Sequence, residues 1–298
     1  MRIVFYTGHP YWGQLNNTGG CKTIIRSCET LRDLMVKCDI VCQKDKFTWF
    51  PHPKPIKKIP KDTDIAIACS VADVDKMLKK LPRGAKPIWW MRGIEKWVMP
   101  KKDIIKRAKK LKVIVNATHL QRWLKKYDVE SEVVFSGLDF PSKENRFYWK
   151  FYDVGFLTHH FHKTKNSKMA KKIVNIADVS YLPLSSKDSY DKLNMERFYA
   201  KYKIWLATSQ LEGFHLCPAE AALCGCVIVG YNHPHNGTSD YLTPDTGYTF
   251  DTVEDAAAII KNMDTEDAKK KVQAMMRKLI DDIGDRRKNM TRLLEVVS

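Results

Sequence analysis

The chain has 298 residues, with 51 Lys and Arg against 34 Asp and Glu, a formal net charge of +17. Hydrophobic residues at 44% and charged residues at 29% are globular values that exclude a disordered chain, and the length suits one large domain or two medium ones. No apolar run reaches the roughly 18 residues that cross a bilayer, and Met1 to Tyr6 is too short an apolar stretch for a signal peptide, so a soluble, cytoplasmic protein is expected.

Residues 2–7, rich in Ile, Val, Phe and Tyr, read as a first strand. A loop follows and ends in Gly19-Gly20. Ile24, Cys28, Leu31 and Met35 then share one helical face. Residues 39–42, 64–69, 87–91 and 112–116 read as further buried strands, with helices at 71–81 and 101–111. The second half repeats the theme. Strands are expected at 151–156, 179–184, 203–208 and 226–231. Helices are expected at 168–177, 188–199, from Pro218 to Leu223, at 253–263 and at 266–297. Strand–helix alternation on this scale implies parallel, doubly wound sheets, two Rossmann-like units with a hinge near 141–150.

Eight cysteines show no zinc-site spacing, and those in apolar runs, such as Cys42 and Cys69, read as buried free thiols. No metal site is expected. The charge is uneven. Residues 1–142 hold 28 Lys and Arg against 14 Asp and Glu, an excess of +14, whereas residues 143–298 hold 23 against 20. Such a field favours an anionic partner; the alternative is a solubility device.

The most informative segment is 208–230, TSQLEGFHLCPAEAALCGCVIVG. A strand ends, Glu212-Gly213-Phe214 turns, and a helix opens, with Pro218 expected in its first turn and Glu220 inside that turn. Helix N-termini attract anions, and loops at the carboxyl ends of parallel strands bind ligands. Glu212 and Glu220, with seven residues between them, suit a ligand with two hydroxyl-bearing parts; alternatively both are surface carboxylates.

This stretch resembles the donor-binding signature of the retaining GT-B glycosyltransferases, the glycosyl transferases group 1 family. The resemblance rests on Glu212, Gly213, Phe214, Pro218, Glu220, Ala221, Gly225 and the apolar 227–229, followed by Asn236-Gly237-Thr238, Asp240 and residues 247–250. Gly19-Gly20 is similar to the family's N-domain glycine loop, 115–118 to its late N-domain turn, and Ser136 to Phe140 to the element closing that domain. The resemblance implies an α/β GT-B architecture, two Rossmann-like doubly wound domains facing across a cleft. The expected divisions are 1–142 on the acceptor side, 143–280 for the nucleotide sugar, and a C-terminal helix, 281–298, returning to the N-domain.

The family's Arg after the glycine of the first C-domain strand is missing, because Phe156 follows Gly155. Lys163 or Lys165 takes the place of the diphosphate-binding Lys, with His162 nearby. Where the family often has an N-domain His, this chain has Arg92-Gly93-Ile94-Glu95. Arg92 cannot act as a base and would hold phosphate or acceptor instead. By resemblance, Glu212, Lys163 and Arg92 form the catalytic set. Gly19, Gly20, Lys165, Gly213, Phe214, His215, Leu216 and Glu220 would contact the donor, Glu220 at the ribose and Glu212 at the sugar. The donor is a nucleoside diphosphate sugar, UDP being the family's commonest nucleotide, with no tightly bound cofactor.

Two basic stretches lie on the acceptor half. Residues 49–61 form a proline-stiffened loop tipped with aromatics, carrying Trp49, Lys54, Lys57 and Lys58. Residues 101–112 form a basic helix carrying Lys106 and Arg107, with Ile104, Ala108 and Leu111 facing inward. Trp89, Trp90 and Trp97 read as core or pocket walls. The favoured acceptor is a hydroxymethylated base of DNA, as modified by some bacteriophages, which would place the protein in the host cytoplasm. The alternatives are a lipid-linked or lipopolysaccharide glycan reached by peripheral membrane contact, and a non-catalytic nucleic-acid-binding module. Oligomeric state is not legible.

Overall fold

In the computed structural model, residues 1–8, 14–141, 150–158, 165–185 and 192–298 are described. The chain divides into two compact units, one made of Met1–Gly137 with Arg286–Ser298, the other of Leu138–Asp285. The expected divisions, after 142 and before 281, each differ from these by five residues.

The first unit holds, in chain order, β1 (Arg2–Thr7), the two-residue β2 (Gln14–Leu15), β3 (Lys37–Cys42), the two-residue β4 (Lys44–Asp45), β5 (Ile65–Ala68), β6 (Lys86–Met91), β7 (Lys112–Val115) and β8 (Ser131–Val133). Six of them form one sheet in the order β3-β1-β5-β6-β7-β8, parallel throughout, with Phe5 opposite Ile40 and Ile67. Alternation sends Ile3, Phe5 and Trp90 to one face and Val4, Tyr6 and Trp89 to the other. Helices α1 (Gly19–Asp33), α2 (Val71–Leu78), α3 (Lys101–Ala108) and α4 (Thr118–Lys125) follow strands in the doubly wound manner. Ile24 and Leu31 of α1 cover the first face; Val74, Ile104 and Leu120 cover the second.

Met35 departs from the sequence expectation. The helix stops at Asp33, the Val36 N–H closes on the Leu31 carbonyl at 3.0 Å, and Met35 sits in a left-handed turn at φ 61, 92% exposed.

The second unit contains β9 (Tyr152–Thr158), α5 (Ser167–Ala177), β10 (Tyr181–Ser185), α6 (Lys192–Tyr199), β11 (Tyr202–Ala207), α7 (Leu216–Leu223), β12 (Val227–Tyr231), β13 (Tyr248–Phe250), α8 (Val253–Lys261) and α9 (Thr265–Lys278). Its sheet is parallel, in the order β10-β9-β11-β12-β13. Val154, Phe156, Leu206 and Val229 pack against Ile173, Val174 and Ile260.

The expected helix over 266–297 is broken. After α9 comes a π-helical turn, Leu279–Ile283, and then Gly284. The final helix, α10 (Arg286–Val297), lays Met290 and Leu293 on the α1 face of the first unit's sheet. The turn closes because Gly284 lies directly over the Leu279 carbonyl, where an added Cβ would sit 2.1 Å from that oxygen.

Gly137, the last residue of the first unit's long segment, has φ 69, and its backbone runs against Arg286, whose Cα would lie 2.7 Å from an added Cβ. A left-handed alanine alone costs about 1–2 kcal/mol. Gly137→Ala is therefore expected to lose at least about 2 kcal/mol in chemical denaturation once the contact with Arg286 is added. Gly93→Ala, with nothing within 4 Å, is expected to stay within about 0.5 kcal/mol.

Candidate active site

In the second unit, β9 connects outward to β10 on one side while β11 leads to β12 on the other. The crevice between the carboxyl ends of β9 and β11 is thus a topological switch point, where open α/β sheets take ligands. Two charged side chains meet there. Lys165 ends the connection after β9, and Glu212 lies on the loop after β11. Lys165 Nζ donates to Glu212 Oε1. Each side chain keeps only about a fifth of its surface, 21% and 18%, so the pair is sheltered yet reachable.

The pair is held from both sides. The Thr208 hydroxyl donates to the Lys165 carbonyl at 3.1 Å. Asn166, at φ 51, makes the left-handed step that starts α5 immediately after Lys165. Burial pushes the Glu212 carboxyl up, but the Lys165 ammonium outweighs it, helped by a Ser209 hydrogen bond, and the group lies below its ordinary value. Burial pulls Lys165 down, and Glu212 more than restores it. Both groups are therefore ionised at neutral pH.

Neighbouring turns fix the Glu212 loop. The Glu212 N–H donates to the His235 carbonyl at 3.2 Å, and the Asn236 amide donates to the Ser209 carbonyl at 3.1 Å. Asn236 also caps the short 3-10 turn Gly237–Asp240, accepting from the Thr238 N–H at 3.3 Å. Gly237 packs on Gly213 so tightly that an added Cβ would lie 1.7 Å from the Gly213 oxygen. Phe214 rests against the Tyr241 ring, whose hydroxyl donates to the His215 carbonyl at 2.7 Å.

His215 is the residue before α7, and Leu216 is its first residue. The imidazole is buried, 3% exposed, and burial holds it down to about 4, so it is neutral at pH 7. Because α7 begins at Leu216, Pro218 is its third residue and Glu220 its fifth. Glu220 thus lies in the second turn, not the first as expected. There it accepts from the Tyr199 hydroxyl at 3.3 Å. Tyr199 also bonds to the Cys217 thiol, which burial pushes up to about 11. Tyr199, Cys217 and Ser209 were not singled out for this site from sequence; Asn236 was named there only as part of the Asn236-Gly237-Thr238 segment, a turn signal.

Lys163 lies outside the described residues, as does His162, and Lys165 is the lysine brought to Glu212. Gly155 is mid-strand rather than at a strand end. Tyr202 covers it, and Phe156 is fully buried, which leaves no place there for a ligand-facing cation.

The first unit has its own switch point, between β1 and β5. Gly19 and Gly20 are not loop residues; they open α1, behind Thr18, whose hydroxyl accepts from the Cys21 N–H at 3.3 Å. The Arg92 guanidinium braces this edge. It donates to the Gly20 carbonyl at 2.5 Å and twice to the Cys69 carbonyl, at 2.7 and 3.2 Å. Arg92 is thus engaged with backbone.

Glu95, quoted in the Arg92 segment without a role, accepts from the Val71 N–H at the start of α2 at 2.6 Å. Burial pushes its carboxyl up to about 7, against the opposing pull of that hydrogen bond and of Arg92.

The residues expected at the acceptor divide. Trp49 and Phe50 do not tip an outward loop: both rings pack on Phe47, at 5.6 and 4.8 Å, and Arg26 stacks 3.6 Å over Phe50. Lys57 donates to the Gln43 carbonyl at 2.6 Å, and Arg107 pairs with Asp75. Lys54, Lys58 and Lys106 are exposed. Trp89 and Trp90 are core residues, but Trp97 is 48% exposed rather than a wall. Among the described residues no group of three metal-ligating side chains gathers, and no helix is long and apolar enough to cross a membrane.

No protein-family model matches the chain, and no curated protein matches it in sequence. Solved structures do. HepE of Anabaena, solved with UDP-glucose, is similar over 100% of this chain and 99% of its own, at 12% identity and a TM-score of 0.75. Sucrose-phosphate synthase of Thermosynechococcus elongatus is similar over 100% and 98%, at 12% identity and a TM-score of 0.73. A TarM mutant of S. aureus, solved with fondaparinux, α-GlcNAc-glycerol and UDP, is similar over 78% of this chain and 55% of its own, at 14% identity and a TM-score of 0.64. The match spans little more than half of the TarM chain. The fold, mixed α/β with parallel sheets, is that of the GT-B glycosyltransferases.

Two measurements test the local geometry. Glu95 titrates near 7 when folded against 4.5 ordinarily, so the folded state binds the extra proton between those values. Its contribution is complete below the unfolded value and is lost as pH rises through the folded one. The denaturation midpoint of the wild type is expected to fall relative to Glu95→Gln between pH 4.5 and 7, and parallel profiles would contradict this. At Gly237, alanine must push the Gly213 backbone away, and a loss of about 1–3 kcal/mol is expected. An unchanged melting curve for Gly237→Ala would contradict the packing.

Proposed function

We propose that the chain is a retaining glycosyltransferase that uses a nucleoside diphosphate sugar, with UDP as the nucleotide. The observation that carries this is the Lys165–Glu212 pair at the β9/β11 switch point, beside the start of α7. It supplies a cation and a helix N-terminus for the diphosphate and a carboxylate for the glycosyl unit. The solved relatives with UDP or UDP-glucose support the same nucleotide.

In this reading Lys165 and the first N–H groups of α7 neutralise the departing diphosphate. Glu212 accepts hydrogen bonds from sugar hydroxyls and faces the positive charge that develops at the anomeric carbon. Glu220, oriented by Tyr199, takes the ribose hydroxyls. The bond from the anomeric carbon to the phosphate oxygen breaks, the acceptor oxygen bonds on the same face, and its proton passes to the leaving phosphate. His215 is neutral and buried, so it adds no charge to this exchange.

The acceptor is proposed to be anionic, with hydroxymethylated bases of DNA favoured, because the excess charge lies in residues 1–142. With Trp49 and Phe50 turned inward, that preference rests on exposed lysines such as Lys54, Lys58 and Lys106 rather than on stacking rings. A target base within a duplex would have to be extruded.

A panel of radiolabelled UDP-sugars, offered with hydroxymethylated DNA, plain DNA or lipid-linked glycans, tests this. Label is expected in hydroxymethylated DNA, with Glu212→Ala and Glu220→Ala each losing about 100-fold or more in turnover. Label in lipid alone would replace the acceptor. Undiminished transfer by both variants would remove the site. Tight DNA binding without any nucleotide-sugar binding would turn the chain into a binding module.

A further inference from the structure

We infer that Glu212 makes the site select against the free nucleoside diphosphate, so that the spent donor is released rather than retained. This rests on the donor-binding reading above and deepens it.

In the structure as it stands, Lys165 and Glu212 satisfy each other. Among the described residues, Glu212 acts with Lys165, His215, Ser209, Cys217 and Tyr241, and of these only Lys165 is a formal cation at neutral pH, since His215 is buried and uncharged. A diphosphate entering the crevice draws on the same ammonium. Glu212 then shares its cation with a second anion at close range, and its remaining lone pairs must be met by the ligand. A carboxylate accepts and does not donate, so only hydroxyl or amine hydrogens can meet them.

An intact nucleotide sugar brings those hydrogens on its glycosyl unit. The free nucleoside diphosphate has no glycosyl unit, and its ribose hydroxyls are taken by Glu220 in the proposed reading, so none is left for Glu212. It also carries roughly one more negative charge, because its terminal phosphate has a second ionisation near pH 6. Glu212 therefore meets the donor with hydrogen bonds and the product as a carboxylate that shares its cation, lacks the glycosyl hydrogens and is repelled. One carboxylate thus separates substrate from product without any movement of the backbone.

The probes are UDP, UMP and the terminal methyl ester of UDP, which has one charge fewer than UDP and no glycosyl unit. Binding is measured by calorimetry near pH 7.5. Glu212→Gln keeps the shape and removes the charge, so it is expected to bind UDP about tenfold more tightly than wild type, with UMP changed much less, because UMP lacks the terminal phosphate. Measured against Lys165→Met alone, the Lys165→Met, Glu212→Gln double variant is expected to gain less than the single variant does, since no ammonium is left to release to the diphosphate. On unmodified protein the methyl ester is expected to bind more tightly than UDP, which keeps the test valid if Glu212→Gln does not fold.

UDP binding that is unchanged or weaker in a folded Glu212→Gln overturns the inference. So does an ester that binds no better than UDP to wild type. If wild type binds none of the three probes, the donor-binding reading itself fails and takes this inference with it.

Discussion

A carboxylate and an ammonium are sheltered in the same crevice of the second unit, and the loops around them answer to that pairing. Neither is stable there alone, because a sheltered charge without a partner is costly. Glu212 must therefore be aimed at Lys165, and the surrounding loops are built to aim it. Thr208 fixes the Lys165 carbonyl, Asn166 turns the chain into α5, and His235 and Asn236 hold the strand-end loop from the β12 side. The absence of a side chain at Gly237 lets the two turns touch. Loops that look independent in sequence are thus one constrained shell around one ion pair.

The two units solve the same topological problem with different chemistry. Leaving aside the two-residue strands, each sheet has its second strand outside its first, so each has a crevice between its first and third strands. In the first unit that edge is crossed by Arg92, whose donors go to the carbonyls of Gly20 and Cys69. Backbone carbonyls are not titratable, and no ligand can replace them without unpairing them. In the second unit the crossing is an ion pair whose partners a charged ligand can exchange. The first arrangement is a brace. The second is open to exchange, which is why the proposed chemistry is placed on Lys165 and Glu212 rather than on Arg92.

Most of the strands were legible because buried parallel strands read as short apolar runs, and residues 2–7 came out as β1 without adjustment. The three-residue β8 and β13 were not, since three residues show no period. Met35 was misplaced because Leu and Met continue the helical face past Asp33, and only the capping hydrogen bonds end it. Glu220 was assigned to the wrong turn because Pro218 suggested a helix start, whereas α7 begins two residues earlier at Leu216. Of Lys163 and Lys165, Lys165 lies against Glu212, while Lys163 falls outside the described residues. Trp49 and Phe50 looked like an exposed tip because the prolines around them signal a loop; loop residues can still fold back, and here Phe47 offers them a ring to pack on.

Charge and site carry different parts of the reading. The +14 excess in residues 1–142 acts over a Debye length of about 10 Å and bears on the proposed choice of an anionic acceptor. It contributes little to the chemical step, because such a field is screened and is nearly the same before and after the bond breaks. The Lys165–Glu212 pair is the reverse case. Its two charges cancel at a distance, but at contact range each is placed, in the proposed reaction, to act on a different part of the donor. A preference for an anionic acceptor should therefore weaken with salt, whereas the distinction between donor and spent nucleotide, set within a sheltered crevice, should persist.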